Sequence, residues 1–303
     1  IVTVSTDDLP YEEKTIIDHS SSEISTEDAA VLLEAVRKEL ETDIYKFYVG
    51  TSYRHLTIWD KGEVVELTPP HDVLGQVIGQ YLPKTEALRE MMKKSYDILS
   101  NHPINVERMK KGLNPANSIW FWGAGTRPAL APFVEKTGHT GAMISAVDLL
   151  KGIAVGADMK VVEVEGANGG LDTNYEGKAD AAVEALLKDD LDFAYIHLEA
   201  PDEMGHQGSF ERKVQAIENL DKRIIKRVTE QLEAAGTDFR MLVLPDHPTP
   251  VAIRTHVSDP VPYMLYDSTN KQSHTWNYNE KEAQESGNYI DKGYTIINHL
   301  FEK

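Results

Sequence analysis

From about residue 126 the sequence alternates short apolar runs with amphipathic stretches, and this rhythm constrains the fold more than any other feature. Residues 142–145, 161–164, 193–198, 241–244 and 263–266 read as strands. Between them, 148–150, 178–187 and a long stretch with Val214, Ile217, Ile224, Val228 and Leu232 on one stripe read as helices. A closing helix is expected over 290–301. Continuous apolar strands alternating with amphipathic helices predict an α/β domain with a mainly parallel sheet covered by helices on both faces. In such sheets ligands sit beyond the carboxyl ends of the strands.

Residues 1–125 follow a different, mixed pattern. Ser25-Thr26-Glu27-Asp28 resembles a capping box ahead of Ala30, Leu33, Val36 and Leu40 at helical spacing. Residues 45–49 and 53–59 read as strands joined by Gly50-Thr51-Ser52, with a further short strand at 63–67. Helices are expected over 85–99 and 106–111, Asn114-Pro115-Ala116-Asn117 breaks the pattern, and 119–122 reads as an aromatic strand. Gly123 to Pro128 reads as a loop or hinge. The expected division is therefore a smaller α+β domain over 1–125 and the parallel-sheet domain over 126–303.

The chain of 303 residues has no cysteine, so disulfides are excluded and any metal site must use oxygen and nitrogen donors. This composition fits a cytoplasmic protein. A formal charge of −18 repels nucleic acid and anionic lipid, so neither nucleic acid nor membrane is an expected partner. No apolar run approaches the roughly 20 residues of a membrane span. The chain opens on Ile1 rather than Met, inside an apparent strand, which suggests a chain whose upstream part is absent.

Two short runs carry the chemistry. Ala200-Pro201-Asp202-Glu203-Met204-Gly205-His206 follows the strand at 193–198. Leu244-Pro245-Asp246-His247-Pro248-Thr249-Pro250 follows the strand at 241–244, with Arg254-Thr255-His256 just beyond. Asp202 and His206, four apart, share a face if helical. Asp246 and His247 lie between prolines, as on a sharp turn. Carboxylate oxygen mixed with imidazole nitrogen suits Mn²⁺ or Zn²⁺, whereas Ca²⁺ wants oxygen alone. Adjacent cations sharing such a rim clamp both oxygens of a phosphoryl displacement. A lone imidazole such as His197 is read as a core or surface residue. The pattern alone leaves phosphatase, nuclease, sulfatase and mutase open.

These runs resemble the cofactor-independent phosphoglycerate mutases of the archaeal type, in the alkaline phosphatase superfamily. So do Tyr53-Arg54-His55-Leu56, Pro69-Pro70-His71-Asp72, Ile119-Trp120-Phe121-Trp122-Gly123, Ala146-Val147-Asp148-Leu149-Leu150-Lys151-Gly152 and Leu171-Asp172-Thr173-Asn174-Tyr175-Glu176-Gly177-Lys178-Ala179, in order along the chain. The resemblance implies an alkaline phosphatase-like catalytic domain with a smaller inserted domain that closes over a small phosphorylated substrate. It implies two Mn²⁺ ions, with Zn²⁺ or Mg²⁺ as alternatives, and no 2,3-bisphosphoglycerate cofactor. Asp202, His206 and His256 would hold one ion, and Asp246 and His247 would help hold the other. In the family the second site is completed by an Asp and a nucleophilic Ser near the amino terminus, in motifs that this sequence lacks. The chain is therefore expected to begin inside the inserted domain, without the amino-terminal part of the catalytic domain, and to be inactive by itself. No serine of the chain is assigned as the nucleophile.

The implied reaction interconverts 3-phosphoglycerate and 2-phosphoglycerate through a phosphoserine. Arg54 and Arg127 are candidates for gripping carboxylate or phosphate oxygens, since guanidinium binds both in bidentate fashion. His55, Asp18 and Lys178 are further substrate-side candidates. One run departs from the family pattern. Where Asp-Tyr-Ser-Ala-Gly-His-Ile is expected, this chain has Asp18-His19-Ser20-Ser21-Ser22-Glu23-Ile24. A glutamate for a histidine weakens anion binding there, unless His19 takes over. It also keeps a homoserine kinase-like phosphotransferase or a phosphatase as alternatives, with a non-catalytic metal-binding protein behind them.

Overall fold

A computed structural model describes residues 1–272 and 275–302. The chain divides into two compact units, Ile1–Pro128 and Ala129–Lys303. Among the described residues no helix is long and apolar enough to cross a membrane.

The first unit packs two short antiparallel pairs against helices. Strand β1 (Thr3–Val4) pairs with β2 (Ile16–Asp18), and β3 (Tyr45–Val49) forms a hairpin with β4 (His55–Trp59). Helix α1 (Thr26–Leu40) starts where the Ser25 hydroxyl accepts from the Asp28 amide at 3.2 Å. It buries Ala29, Leu32, Leu33, Val36 and Leu40, one helical stripe. Helix α2 (Glu86–Leu99) buries Leu88, Met91, Met92 and Leu99. With Val2, Val4, Ile16, Ile78 and Trp120 they form one core. Helix α3 (Pro103–Lys110) begins three residues earlier than its apolar pattern suggests. Pro103 occupies the first turn, where a missing N–H costs nothing.

Two expected strands are absent. Residues 63–67 find no ladder partner, and 119–122 carries no strand beyond a single bridge from Ser118 to Val2. The apolar pattern of 119–122 serves packing instead: Ile119 and Trp120 are buried, and the Trp120 indole donates to Thr68 O at 2.8 Å.

The stretch that breaks the sequence pattern, 114–117, buckles this unit. Asn117 pairs with Val4 like a strand, accepting from its amide at 2.8 Å and donating to its carbonyl at 2.9 Å. Buried Asn105 donates to Leu99 O and Ala116 O, both at 2.9 Å. Asn114 donates to Asp18 Oδ2 at 2.9 Å. Asp18 thereby closes a tight turn: Oδ1 accepts from the Ser20 amide and hydroxyl at 2.8 and 2.9 Å, and Oδ2 from the Ser22 amide at 2.6 Å.

In the second unit, α4 (Phe133–Thr137) precedes β5 (Gly141–Ile144), which is buried throughout. Helix α5 (Asp148–Gly156) leads to the two-residue β6 (Lys160–Val161), and α6 (Tyr175–Leu187) leads to β7 (Phe193–Ile196). These strands form a parallel sheet in the order β6-β5-β7. Helix α7 (Ala200–His206) follows β7 directly. The expected long helix is broken into α8 (Phe210–Asn219), a wide π-type turn over Leu220–Ile225, and α9 (Lys226–Ala234). Ile224, Val228 and Leu232 are buried on α6, but Val214 and Ile217 face solvent, because the wide turn changes the phase of the stripe. Arg223 and Arg227 each grip a carboxylate of α6, Glu176 and Asp180, in bidentate fashion at 2.6–2.9 Å.

Strand β8 (Arg240–Val243) does not extend the parallel ladder as expected; it pairs antiparallel with β9 (Met264–Asp267). After α10 (Glu280–Ser286), the closing helix is only α11 (Ile296–Phe301), preceded by a 3-10 turn at Gly293–Thr295.

Burial disfavours the charged form of Asp18, but the bonds from Asn114, Ser22 and Ser20 outweigh it and hold the carboxyl below its ordinary value. A depressed acid stabilises the fold above its unfolded value and loses that contribution as pH falls through the folded one. Asp18→Ala is expected to cost the first unit about 3 kcal/mol at neutral pH. The loss should shrink as the parent is acidified below roughly pH 4. Urea unfolding followed by tryptophan emission checks this, since Trp59, Trp120 and Trp122 all lie in that unit.

Candidate metal centre

The site is built where β7 ends. The His197 amide donates to Ile144 O at 2.9 Å, extending the parallel ladder by one residue. Three residues later the chain enters α7 with Pro201 in its first turn. Asp202 and His206 then stand one turn apart on one face, with Asp202 Oδ2 3.3 Å from His206 Nε2. The loop after β8 brings the third member: His256 Nε2 lies 3.3 Å from Asp202 Oδ1 and 3.1 Å from His206 Nε2. These three donors all lie within 4.8 Å of one another.

Close backbone approach makes this convergence possible. A Cβ on Gly205 would overlap the Thr249 carbonyl oxygen, so only glycine lets that loop lie against α7. Lys213 Nζ donates to the same carbonyl at 2.6 Å, and the buried Thr249 hydroxyl donates to Asp202 Oδ1. Arg254 adopts φ +59 on the way to His256.

The donor set fits a divalent cation. Bonds of about 2.0–2.2 Å to one shared ion would place neighbouring donors about 3.0–3.5 Å apart, as they are here. His206 Nδ1 lies 3.0 Å from Arg254 O, an acceptor only. That bond puts the proton on Nδ1 and leaves the Nε2 lone pair facing Asp202 and His256.

His247 and Asp246 lie beside this triad rather than in it. The His247 ring lies tilted against that of His256, with centroids 3.8 Å apart, and its Nδ1 is 3.4 Å from the Thr249 hydroxyl. Asp246 is largely exposed, with Oδ2 3.4 Å from His247 Nε2.

The substrate-side candidates are placed less uniformly. Lys178 is buried in α6, its Nζ 3.4 Å from Asn168 O and 3.3 Å from His197 O. Burial pushes its ammonium down to about 8, although Glu199 opposes the shift. It braces a loop and the end of β7 rather than reaching solvent. Asp18, Arg54, His55 and Arg127 all belong to the first unit. Asp18 accepts four hydrogen bonds, three from its own turn and one from Asn114. His55 Nδ1 accepts from the Gly50 amide at 3.2 Å, its Nε2 is buried without a hydrogen-bond partner, and burial pushes it down to about 3. Arg54 and Arg127 are exposed.

Sequence reasoning set aside His197 and missed Thr249 and Lys213. His197 Nδ1 lies 3.3 Å from the Ser145 hydroxyl; burial and the Lys178 charge lower its pKa against the pull of Asp246 and Asp202. Its place at the carboxyl end of a predicted strand was the available signal. A polar residue caged between Pro248 and Pro250 was the signal for Thr249.

Residues 50–302 match the Metalloenzyme superfamily. A 2,3-bisphosphoglycerate-independent phosphoglycerate mutase of Methanosarcina barkeri is 45% identical over 298 residues, covering 94% of this chain and 74% of that protein. A probable enzyme of the same description from Geobacter sulfurreducens is 43% identical over 291 residues, covering 94% and 72%. Among solved structures, a Pyrococcus horikoshii protein matches with TM-score 0.68 and 27% identity over 88% of this chain and 65% of its own. The cofactor-independent phosphoglycerate mutase of Thermoplasma acidophilum, at 22% identity and TM-score 0.53, shares the fold over 99% and 74%. This chain belongs to the cofactor-independent phosphoglycerate mutase family, within the metalloenzyme superfamily.

Proposed function

We propose that this chain serves the interconversion of 3-phosphoglycerate and 2-phosphoglycerate, without 2,3-bisphosphoglycerate, at a divalent-metal centre in the second unit. The observation that carries it is the convergence of Asp202, His206 and His256, with the His206 tautomer set by Arg254 O. In this proposal Asp202, His206 and His256 hold one Mn²⁺, and Asp246 and His247 contribute to a second. Zn²⁺ or Mg²⁺ suits the same donors less or more loosely according to softness. Bound there, the cations would supply Lewis-acid stabilisation to phosphoryl oxygens and lower the pKa of a ligated hydroxyl.

The remaining groups bind and position. Arg54 and Arg127 grip carboxylate or phosphate oxygens. Lys178 holds the Asn168 loop against the end of β7, and Asp18 and His55 shape the loops on either side of Arg54. The phosphoserine step is assigned to no serine of this chain. A homoserine kinase-like phosphotransferase is the second reading, favoured by exposed Glu23 in a run where the family pattern has histidine. Assaying the intact protein on 3-phosphoglycerate, and on homoserine with a nucleotide, separates the two.

Manganese titration calorimetry tests the centre. Asp202→Ala and His256→Ala should each lower Mn²⁺ affinity by at least about tenfold. Parent-like binding by both variants overturns the assignment. Gly205→Ala removes no donor, yet should weaken Mn²⁺ binding comparably by displacing the Thr249 loop. Gly152→Ala, where an added Cβ meets nothing within 4 Å, should bind as the parent does.

A further inference from the structure

The loop that Lys178 braces carries the only Asn-Gly pair of the sequence, Asn168-Gly169. Asparagine is among the thermolabile residues, because its side-chain carbonyl carbon can be attacked by the backbone nitrogen of the next residue. The attack needs that nitrogen unshielded and unbonded. Glycine removes the shield, since no Cβ stands beside the nitrogen. The bond is missing too: among the described residues no hydrogen bond engages the Gly169 amide. Asn174, six residues on at the start of α6, shows the contrast. It is followed by buried Tyr175, whose amide donates to Thr173 O at 2.9 Å.

The turn sets the reacting atoms side by side. Asn168 Oδ1 accepts from the Gly170 amide at 2.8 Å, which folds the side-chain amide back over the Asn168–Gly169 peptide. Asn168 is exposed, so water reaches it. Its backbone amide donates to the Thr173 hydroxyl at 3.0 Å, and its Nδ2 lies 3.3 Å from Asp172 Oδ1. Its backbone carbonyl is taken from the inside by Lys178, whose Nζ lies 3.4 Å from it and 3.3 Å from His197 O. Both acceptors of this buried ammonium are neutral. The Glu199 carboxylate acts on it by charge, and lies against Gly169, where an added Cβ would press on a carboxylate oxygen.

We infer that Asn168-Gly169 is a self-modifying site, and that its isoaspartyl product gives Lys178 a carboxylate in place of a neutral carbonyl. First a bond forms between Gly169 N and Asn168 Cγ and the Cγ–Nδ2 bond breaks. Nδ2 leaves as ammonia with the Gly169 amide proton, and a five-membered succinimide remains. Solvent water then adds at the former backbone carbonyl carbon, and the bond from that carbon to Gly169 N breaks. The main chain now runs through Cγ. The old backbone carbonyl oxygen, the one that Lys178 already faces, belongs to a free carboxylate. Opening at Cγ instead gives aspartate, whose carboxylate is the exposed side chain. An opposite charge at hydrogen-bond range favours the ammonium. The modified chain therefore keeps Lys178 protonated at the end of β7, just ahead of α7. The site is independent of which substrate the metal centre takes.

Ageing the whole chain in warm, mildly alkaline buffer tests this, against a reference kept cold and mildly acidic. Peptide mapping with electron-based fragmentation reads which asparagines convert and tells isoaspartate from aspartate. Conversion at Asn168 ahead of Asn174, with isoaspartate as the main product, is expected. Asn168→Gln, whose longer side chain disfavours the five-membered ring, should show none. NMR of isotope-labelled lysines, assigned with Lys178→Met, follows the Lys178 titration. From about 8 in the reference it should rise by about 1 pH unit or more in the aged chain. In Asn168→Asp, where the new carboxylate is the side chain, it should move less. Circular dichroism like the reference shows that the aged chain is folded, and ageing the parent needs no variant to fold. Asn168 intact while Asn174 converts, aspartate as the main product, or a folded isoaspartyl chain with unmoved Lys178 each overturn the inference.

Discussion

The close approach of the Thr249 loop to α7 is the contact on which the candidate centre depends. Asp202 and His206 come free with helical spacing, but His256 belongs to a loop 50 residues further on. Nothing brings it in unless the chain passes flush against the helix at Gly205. The Thr249 carbonyl then takes Lys213, the Thr249 hydroxyl takes Asp202, and the Arg254 carbonyl takes His206. Asp202 and His206 are thus each oriented by a bond from the other element. Such outer bonds fix which lone pairs face inward before any cation arrives.

The two units use opposite means to hold side chains where chemistry needs them. The second relies on regular structure: a strand end, a helix turn and a glycine contact. The first relies on strained loops stapled by carboxylate and amide side chains, with Asp18, Asn105 and Asn117 filling backbone valences that a sheet would otherwise fill and Asn114 holding the Asp18 carboxylate. Buried polar groups of this kind rigidify when all are satisfied.

What was legible in the sequence follows the same division. The spacing of Asp202 and His206 was readable because helical periodicity is local, as was the Ser25 cap of α1. The strand–helix alternation announced β5, β6 and β7. It did not announce that β8 would pair with β9 alone, because a ladder partner is a long-range fact. The strands expected at 63–67 and 119–122 failed for the same reason: the apolar pattern was real, but no partner lay alongside. Burial of Lys178 was hidden, since its position in the helix says nothing of what covers it. The left-handed turn at 21–23 was hidden more deeply, because no glycine marks it.

The wide turn between α8 and α9 has a consequence for how this molecule tolerates change. The extra residue it accommodates sets the angular phase of everything downstream. Arg223 and Arg227 meet Glu176 and Asp180 because both pairs repeat with one helical turn. Removing a single residue from Leu220–Ile225 would rotate α9 by about 100° relative to α8. The two guanidinium clamps and the buried edge of Ile224, Val228 and Leu232 would then swing away together. A one-residue deletion in this helical span would therefore disrupt α6 packing more than most substitutions within it, although no atom of the metal-binding groups would have been touched.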